Sequence, residues 1–314
     1  MTADRPLLGI TLMLGFCIVA PISDAVAKVL GESVSIGLLL FFRFAVQVAL
    51  LIPVIMLTNR PWRMRGNVLF LASLRTVLHV IGIGLMFAAL QYLPLADAVA
   101  IAFVMPFIML VLGRYVLKEH VGRRRLFGAV VGFGGTLLVV QPSFVAVGWA
   151  ALLPLGVALN FAFFMLITRK IARDSDPIGL QAVSGVMASV FLLPVLIIGT
   201  QLDIAPLAYV APNLTEITLL ISIGVLGTMA HLLMTWSLRH APSATLAPMQ
   251  YLEIPIAALI GWEVFGDWPN DMALVGIAIT IAAGLFIILT ERSSAPVPVA
   301  PAPATPKASV PPAE

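Results

Sequence analysis

Charge is what this sequence has least of. Only 11% of its 314 residues are charged, 61% are hydrophobic, and the mean hydropathy is +1.07. A soluble domain carries about 25% charged residues. A chain this poor in charge cannot cover its surface in water, so it reads as an all-α integral membrane protein whose first partner is the lipid bilayer. Cysteine is nearly absent too. The single Cys17 excludes an internal disulfide framework and a cysteine metal cluster. No GxxxxGK[ST] loop occurs, which argues against direct drive by ATP. HExxH and GxSxG are missing, and the acids near the membrane surface form no paired catalytic set. The chain is therefore not expected to be an enzyme, and no cofactor or metal is implied.

What is present is a series of apolar segments about 17–25 residues long, without the alternation of barrel strands. Ten transmembrane helices fit, at 7–30, 34–57, 67–90, 94–117, 124–141, 147–168, 178–200, 215–238, 242–265 and 271–290. The pI near 9.3 does not point to nucleic acid, because the basic residues sit in short loops between spans. With a cytoplasmic N-terminus, 14 of the 18 Lys and Arg residues fall on that side, among them Arg60, Arg63 and Arg65, then Arg123, Arg124 and Arg125, then Arg169, Lys170 and Arg173. The positive-inside rule then predicts both termini cytoplasmic. The run of three arginines reads as a topology anchor, with a lipid-headgroup site as the alternative. Residues 291–314 alternate Pro and Ala and predict a disordered cytoplasmic tail.

The stretch 242–268 repeats 94–120 at an offset of 148 residues. Pro242 falls on Pro94, Ala244 on Ala96, Gly261 on Gly113, and Asp267 on Glu119. Five spans per unit is an odd number, so the second unit would enter the membrane inverted. This predicts two five-helix repeats, 7–141 and 147–290, the architecture of alternating access around a midplane site. Glu119 and Asp267 then become equivalent gate or framework residues at opposite faces. Gly128, Gly132, Gly134 and Gly135, with Gly276 and Gly284, permit close helix packing and are compatible with a homodimer.

Several motifs carry a resemblance. They are the spacing Pro106 to Glu119, the glycine-rich helix after it, and the repetition of both as Ile254 to Asp267, with Pro255 one residue past the matching position. To these add SDAVAK (23–28), FFRF (41–44), LPLADAVAIAF (93–103) and APMQYLEI…FGDWPND (247–271). Over residues 7–290 the chain resembles the drug/metabolite transporter superfamily with two EamA domains, nearest a branch of riboflavin and S-adenosylmethionine uptake transporters. The resemblance implies a secondary transporter in a bacterial inner membrane that imports a small, cofactor-like molecule, riboflavin being the first choice. The alternatives are S-adenosylmethionine uptake, or export of amino acids or other metabolites.

Polar groups at membrane depth cost about 2.5–3.5 kcal/mol when charged, even on the lenient insertion scale, and mark candidate sites. Glu253 lies near the middle of the ninth span with Gln250 on the same face, and Tyr251, beside them in sequence though turned away from Gln250, completes the set of substrate or coupling candidates. It suits a proton-coupling or ligand-binding role, or a fixed ion pair with Arg43 or Arg75. Arg75 and His79 share one face, Arg43 and Gln47 another, and Asp24 and Lys28 a third. With the shallower Asp97, the carboxylates suggest a charge network linking the repeats, and Lys28 could snorkel to the interface. His79 and His231 read as hydrogen-bonded neutral histidines or proton carriers. Asn160, with Phe161, Phe163, Phe164 and Trp149, could form an amide and stacking box. Trp262 and Trp268 read as interface anchors.

Overall fold

The computed structural model of the protein describes residues 6–115, 123–172, 174–241 and 246–292. Among these residues every regular element is a helix. The first half comprises α1 (Pro6–Leu30), α2 (Ile36–Thr58), α3 (Gly66–Leu90), α4 (Leu95–Ala102), α5 (Met105–Tyr115) and α6 (Arg123–Val147). The second comprises a 3₁₀ turn (Gly148–Leu152), α7 (Leu153–Ile171), α8 (Pro177–Gln201), α9 (Leu214–His240), a second 3₁₀ segment (Ala247–Leu252), α10 (Glu253–Phe265) and α11 (Asp271–Arg292). Among the described residues six helical runs are long and apolar enough to cross a membrane: Leu7–Leu30, Ile36–Thr58, Gly66–Leu90, Phe144–Ile171, Pro177–Gln201 and Leu214–His240. Large apolar side chains cover the outer surface, such as Phe191 (63% exposed) and Val190 (67%), a pattern that suits lipid rather than water.

The fourth and ninth predicted spans are not continuous helices. The fourth divides at a turn through Phe103 and Val104, whose amides bond back three residues to Ala100 and Ile101. Pro106 follows and has no amide to offer the Ala102 carbonyl, so a regular α-helix cannot run through. The ninth divides where the 3₁₀ segment containing Pro248 gives way to α10. The two breaks correspond, because α10 begins at Glu253, 148 residues after α5 begins at Met105. The same offset relates the starts of α3 and α9, and of α6 and α11.

Packing crosses between the halves. α1 lies along α9 as α3 lies along α7, while α2 packs on α8, α4 on α10 and α6 on α11. Of the glycines expected to permit close approach, Gly135, Gly276 and Gly284 are used inside the chain, while Gly134 faces open space. A Cβ on Gly276 would stand 2.5 Å from the Gly135 carbonyl oxygen, and one on Gly135 would stand 2.7 Å from that of Gly276. Helix ends are sealed locally. Ser35 caps α2, Asp176 accepts from the first amides of α8 before Pro177, and Asn213 with Glu216 forms a capping box on α9. Glu119 and the tail from residue 293 lie outside the described residues.

Candidate functional site

Five helices and both breaks surround a central cavity of about 120 Å³. Phe16, Ala20 and Asp24 lie at intervals of four along one stripe of α1 and face it. His79 and Gly82 of α3, Phe161 of α7 and His231 of α9 add walls, while Phe103, Met105, Gln250 and Glu253 come from the two breaks. In a 3₁₀ segment residues three apart eclipse, which puts Gln250 and Glu253 on the same side. Tyr251, between them, points elsewhere. Its ring lies 5.5 Å from that of Phe103 and fills the space above Gly284 on α11. It is thus a packing residue and not a cavity wall.

The two histidines meet in the middle. Their ring centroids are 4.2 Å apart, and Phe44 (5.1 Å) and Phe164 (4.7 Å) enclose His79. Arg43 Nη2 lies 3.0 Å from His231 Nδ1. The same Nδ1 lies 3.0 Å from the Gly227 carbonyl oxygen, which can only accept, so the ring tautomer decides which of the two partners Nδ1 bonds. The expected hydrogen-bonded histidines are therefore only half realised. His231 Nε2, both ring nitrogens of His79 and Oε1 of Gln250 are buried without a protein partner among the described residues. Buried polar atoms are nearly always satisfied, so four such atoms around one cavity mark it as a place for polar ligands or water.

The buried arginines are held mainly by neutral groups. Arg75 is fully buried; its Nε donates to Thr168 Oγ1 (2.8 Å), its Nη1 to Ser184 Oγ (3.0 Å), and its Cζ sits 4.5 Å above the Phe164 ring. Arg43 Nη1 donates to Gln47 Oε1 (2.9 Å). Gln47 Nε2 continues to the Gln181 carbonyl, and Gln181 Nε2 to the Thr235 hydroxyl and the His231 carbonyl. Neither arginine forms an ion pair with Glu253 among the described residues; the pairs there are Lys28–Asp267 and Arg60–Asp176. Asp24 lies within electrostatic reach of Arg43 on one side and Glu253 on the other. The Cys17 thiol, 3.5 Å from the Met249 carbonyl oxygen, also touches the Glu253 carboxyl.

Three other expectations change. Lys28 does not snorkel; its Nζ bonds the Leu93 carbonyl oxygen (2.9 Å) and Asp267 Oδ2 (3.2 Å), and lies 5.0 Å from the Phe265 ring centroid. Asn160 does not face the cavity; its Nδ2 donates to the Leu78 carbonyl (2.7 Å), tying α7 to α3. Of the aromatic box, Phe161 lines the cavity, stacked between Phe16 (6.4 Å) and Phe164 (5.4 Å), while Trp149 is two-thirds exposed against Tyr92. Trp262 and Trp268 stand edge to face at 5.6 Å, both half-exposed. Phe16, Cys17, Gln181, Thr168 and Ser184 were not singled out from sequence. The spacing of Phe16 four residues before Ala20 and eight before Asp24 was the signal that could have found the first.

The sequence that builds this cavity matches a known family. The pattern of the EamA-like transporter family matches residues 7–141 and 148–290. The chain belongs to that family. Among curated relatives, a riboflavin transporter of Rhizobium johnstonii is 30% identical over 75% of this chain and 73% of its own length. An S-adenosylmethionine uptake transporter of Rickettsia prowazekii is 25% identical over 91% and 94%, and a riboflavin transporter of Vibrio cholerae is 27% identical over 91% and 95%. One crystal structure superposes with a TM-score of 0.67 across 92% of this chain and 98% of the other, at 16% identity, a likeness of fold alone.

Proposed function

We propose that this EamA-like protein is a secondary transporter that imports a cofactor-like solute across a bacterial inner membrane by alternating access. Its five-helix repeats, 7–141 and 147–290, lie inverted in the bilayer with both termini cytoplasmic. The observation that carries the reading is the central cavity, built from both halves at the matched helix breaks and lined by His79, His231 and Gln250 atoms with unused hydrogen-bonding capacity. Riboflavin is the first candidate. It is planar, carries both carbonyl and N–H groups, and could stack on Phe161 and Phe16. At about 120 Å³ the cavity is below the ~300 Å³ of the smallest drug-sized sites, so the bundle must open to load such a molecule. Glu253, with Asp24 near it, is the candidate coupling group, since a carboxylate in a dry site can take up a proton with its passenger.

A second reading has its own support. The formal charges among the described lining residues are the carboxylates Asp24 and Glu253, while Arg43 and Arg75 stand behind the wall. A cavity of that sign suits a cation, and S-adenosylmethionine carries a sulfonium and an ammonium group. Uptake of labelled riboflavin and S-adenosylmethionine by proteoliposomes under an inward proton gradient decides between them. Flux of riboflavin supports the first and flux of S-adenosylmethionine the second; flux of neither, with the protein correctly inserted, removes both. In Glu253→Gln vesicles the pH dependence of uptake should flatten, and an unchanged profile would remove Glu253 as the coupling group.

A further inference from the structure

We propose that the cleft between α2 and α8 holds one acyl chain of an anionic phospholipid whose headgroup rests on Arg63 and Arg65. The cleft is about 400 Å³, larger than the central cavity, and almost wholly apolar. Ile52 and Met56 form one wall, Val183, Val186 and Met187 the other, and Trp62 stands at its mouth. The side open to the surroundings is genuinely exposed, with Met56 at 72%, Trp62 at 49% and Val186 at 39%.

Depth and charge select the occupant. The lining runs from Trp62, whose backbone packs on Gly179 in the first turn of α8, to Met187, eight residues and roughly 12 Å of helix further on, most of one leaflet of a ~30 Å hydrocarbon core. The cleft thus suits a single acyl chain entering from the membrane surface. Its mouth is basic. The Arg63 guanidinium lies 5.7 Å over the Trp62 ring, and the Arg65 side chain is exposed at the start of α3. The loop bearing them is fixed in place. Arg60 Nη1 bonds Asp176 Oδ2 (2.9 Å), and the Pro61 carbonyl packs directly against Gly179 in the first turn of α8, where any side chain would collide. Arg60 is tied to Asp176 through Nη1, and Arg63 and Arg65 are the loop cations not paired with a carboxylate among the described residues. An indole at the interface beside one guanidinium group, with a second on the same short loop, above an apolar slot, complements an anionic lipid better than a zwitterionic one. On the proposed topology this end faces the cytoplasm, so the lipid would sit in the inner leaflet.

Native mass spectrometry of the full-length protein in mild detergent tests this, with phosphatidylglycerol and phosphatidylcholine of identical acyl chains as probes. Wild type should retain one phosphatidylglycerol in preference to phosphatidylcholine. Arg63→Gln and Arg65→Gln should each weaken phosphatidylglycerol retention about fivefold while leaving phosphatidylcholine unchanged, the effect of one surface cation on an anionic lipid. Val186→Trp, which fills the slot, should reduce retention of both. Met56→Trp, at a highly exposed position that folding tolerates, should do the same. Equal retention of the two lipids by wild type would overturn the proposal, as would unchanged retention in both tryptophan variants. A wild-type dimer that Val186→Trp converts to monomer would show that a second copy occupies the cleft, and would equally overturn it.

Discussion

Lys28 offers the sharpest test of a gate. It closes one end of the bundle by joining the end of α1 to the turn before α4 through the Leu93 carbonyl, and to the segment after α10 through Asp267. Asp24, one turn deeper, faces the cavity. Replacing Lys28 with Met keeps most of the stem and removes all three head-group interactions. The charged hydrogen bond to Leu93 contributes about 1.5 kcal/mol. The ion pair is worth about 1 kcal/mol at most, since Asp267 is 36% exposed and solvent screens it. The contact with the Phe265 ring adds about 0.5 kcal/mol. The end-closed state should therefore lose about 2–3 kcal/mol relative to the end-open one, a shift of roughly 30- to 150-fold in their ratio. Asp267→Asn removes only the ion pair and should shift it about fivefold. The reporter is Ala20→Cys in a Cys17→Ala background, because Ala20 lines the cavity and Cys17 is the sole natural thiol. Membrane-impermeant maleimide added from the Lys28 side should label Lys28→Met vesicles at least tenfold faster than the parent, with Asp267→Asn between. Labelling within twofold of the parent would refute the gate and leave Lys28 a fastener of no consequence for access.

Two further substitutions separate packing from transport. Gly284→Ala puts a methyl group into the Tyr251 ring and should cost about 1–3 kcal/mol in stability, read as a lower melting midpoint and restored by adding Tyr251→Ala; an unchanged midpoint in the single variant would mean that Tyr251 is free to move aside. Arg75→Met gives up two charged hydrogen bonds and a ring contact but also removes a buried charge, so its stability should stay within about 2 kcal/mol of wild type. Arg75→Ala should fall at least about 2 kcal/mol lower because of the space it leaves, and equal stabilities of the two would contradict that account.

Much of the scaffold could be read from the sequence because its cause is repetitive. The apolar segments announce helices, and the offset between 94–120 and 242–268 foretells that the breaks at Met105 and Glu253 correspond. Which groups hold the arginines could not be read. Arg75 is bound by Thr168 and Ser184 of the other half, and a hydroxyl on a distant helix carries no spacing that singles it out. Carboxylates seemed the natural partners because charge attracts charge at any distance, yet two neutral acceptors and an aromatic face serve here. Tyr251 was grouped with Gln250 and Glu253 by adjacency. The 3₁₀ twist aligns residues three apart and turns the one between toward Gly284. Lys28 looked free to snorkel because Asp267 is 239 residues away in sequence, and only the packing of α1 against α10 brings them together.

The repeat also explains why the polar groups cannot be its product. Among elements that share the 148-residue offset, each buried polar group faces an apolar equivalent. Glu253 corresponds to Met105, Gln250 to Ala102, Arg75 to Ile223 and His231 to Ile83. The two histidines, which meet at the centre, are not equivalents of each other but stand one helical turn out of register. The residue that does correspond to His79 is Gly227, and its missing side chain is what lets the Arg43 guanidinium lie across α9 beside His231. A duplicated chain gives a cavity with two matching walls. Binding a solute of one shape and charge requires those walls to differ, and here they differ wherever a polar atom points inward. If Gly227 were a histidine too, Arg43 would have no room and His231 Nδ1 would lose its contact with the guanidinium. On the proposed function, selectivity would rest on the breaking of the repeat at His79, His231, Gln250 and Glu253, and alternating access on the repeat itself.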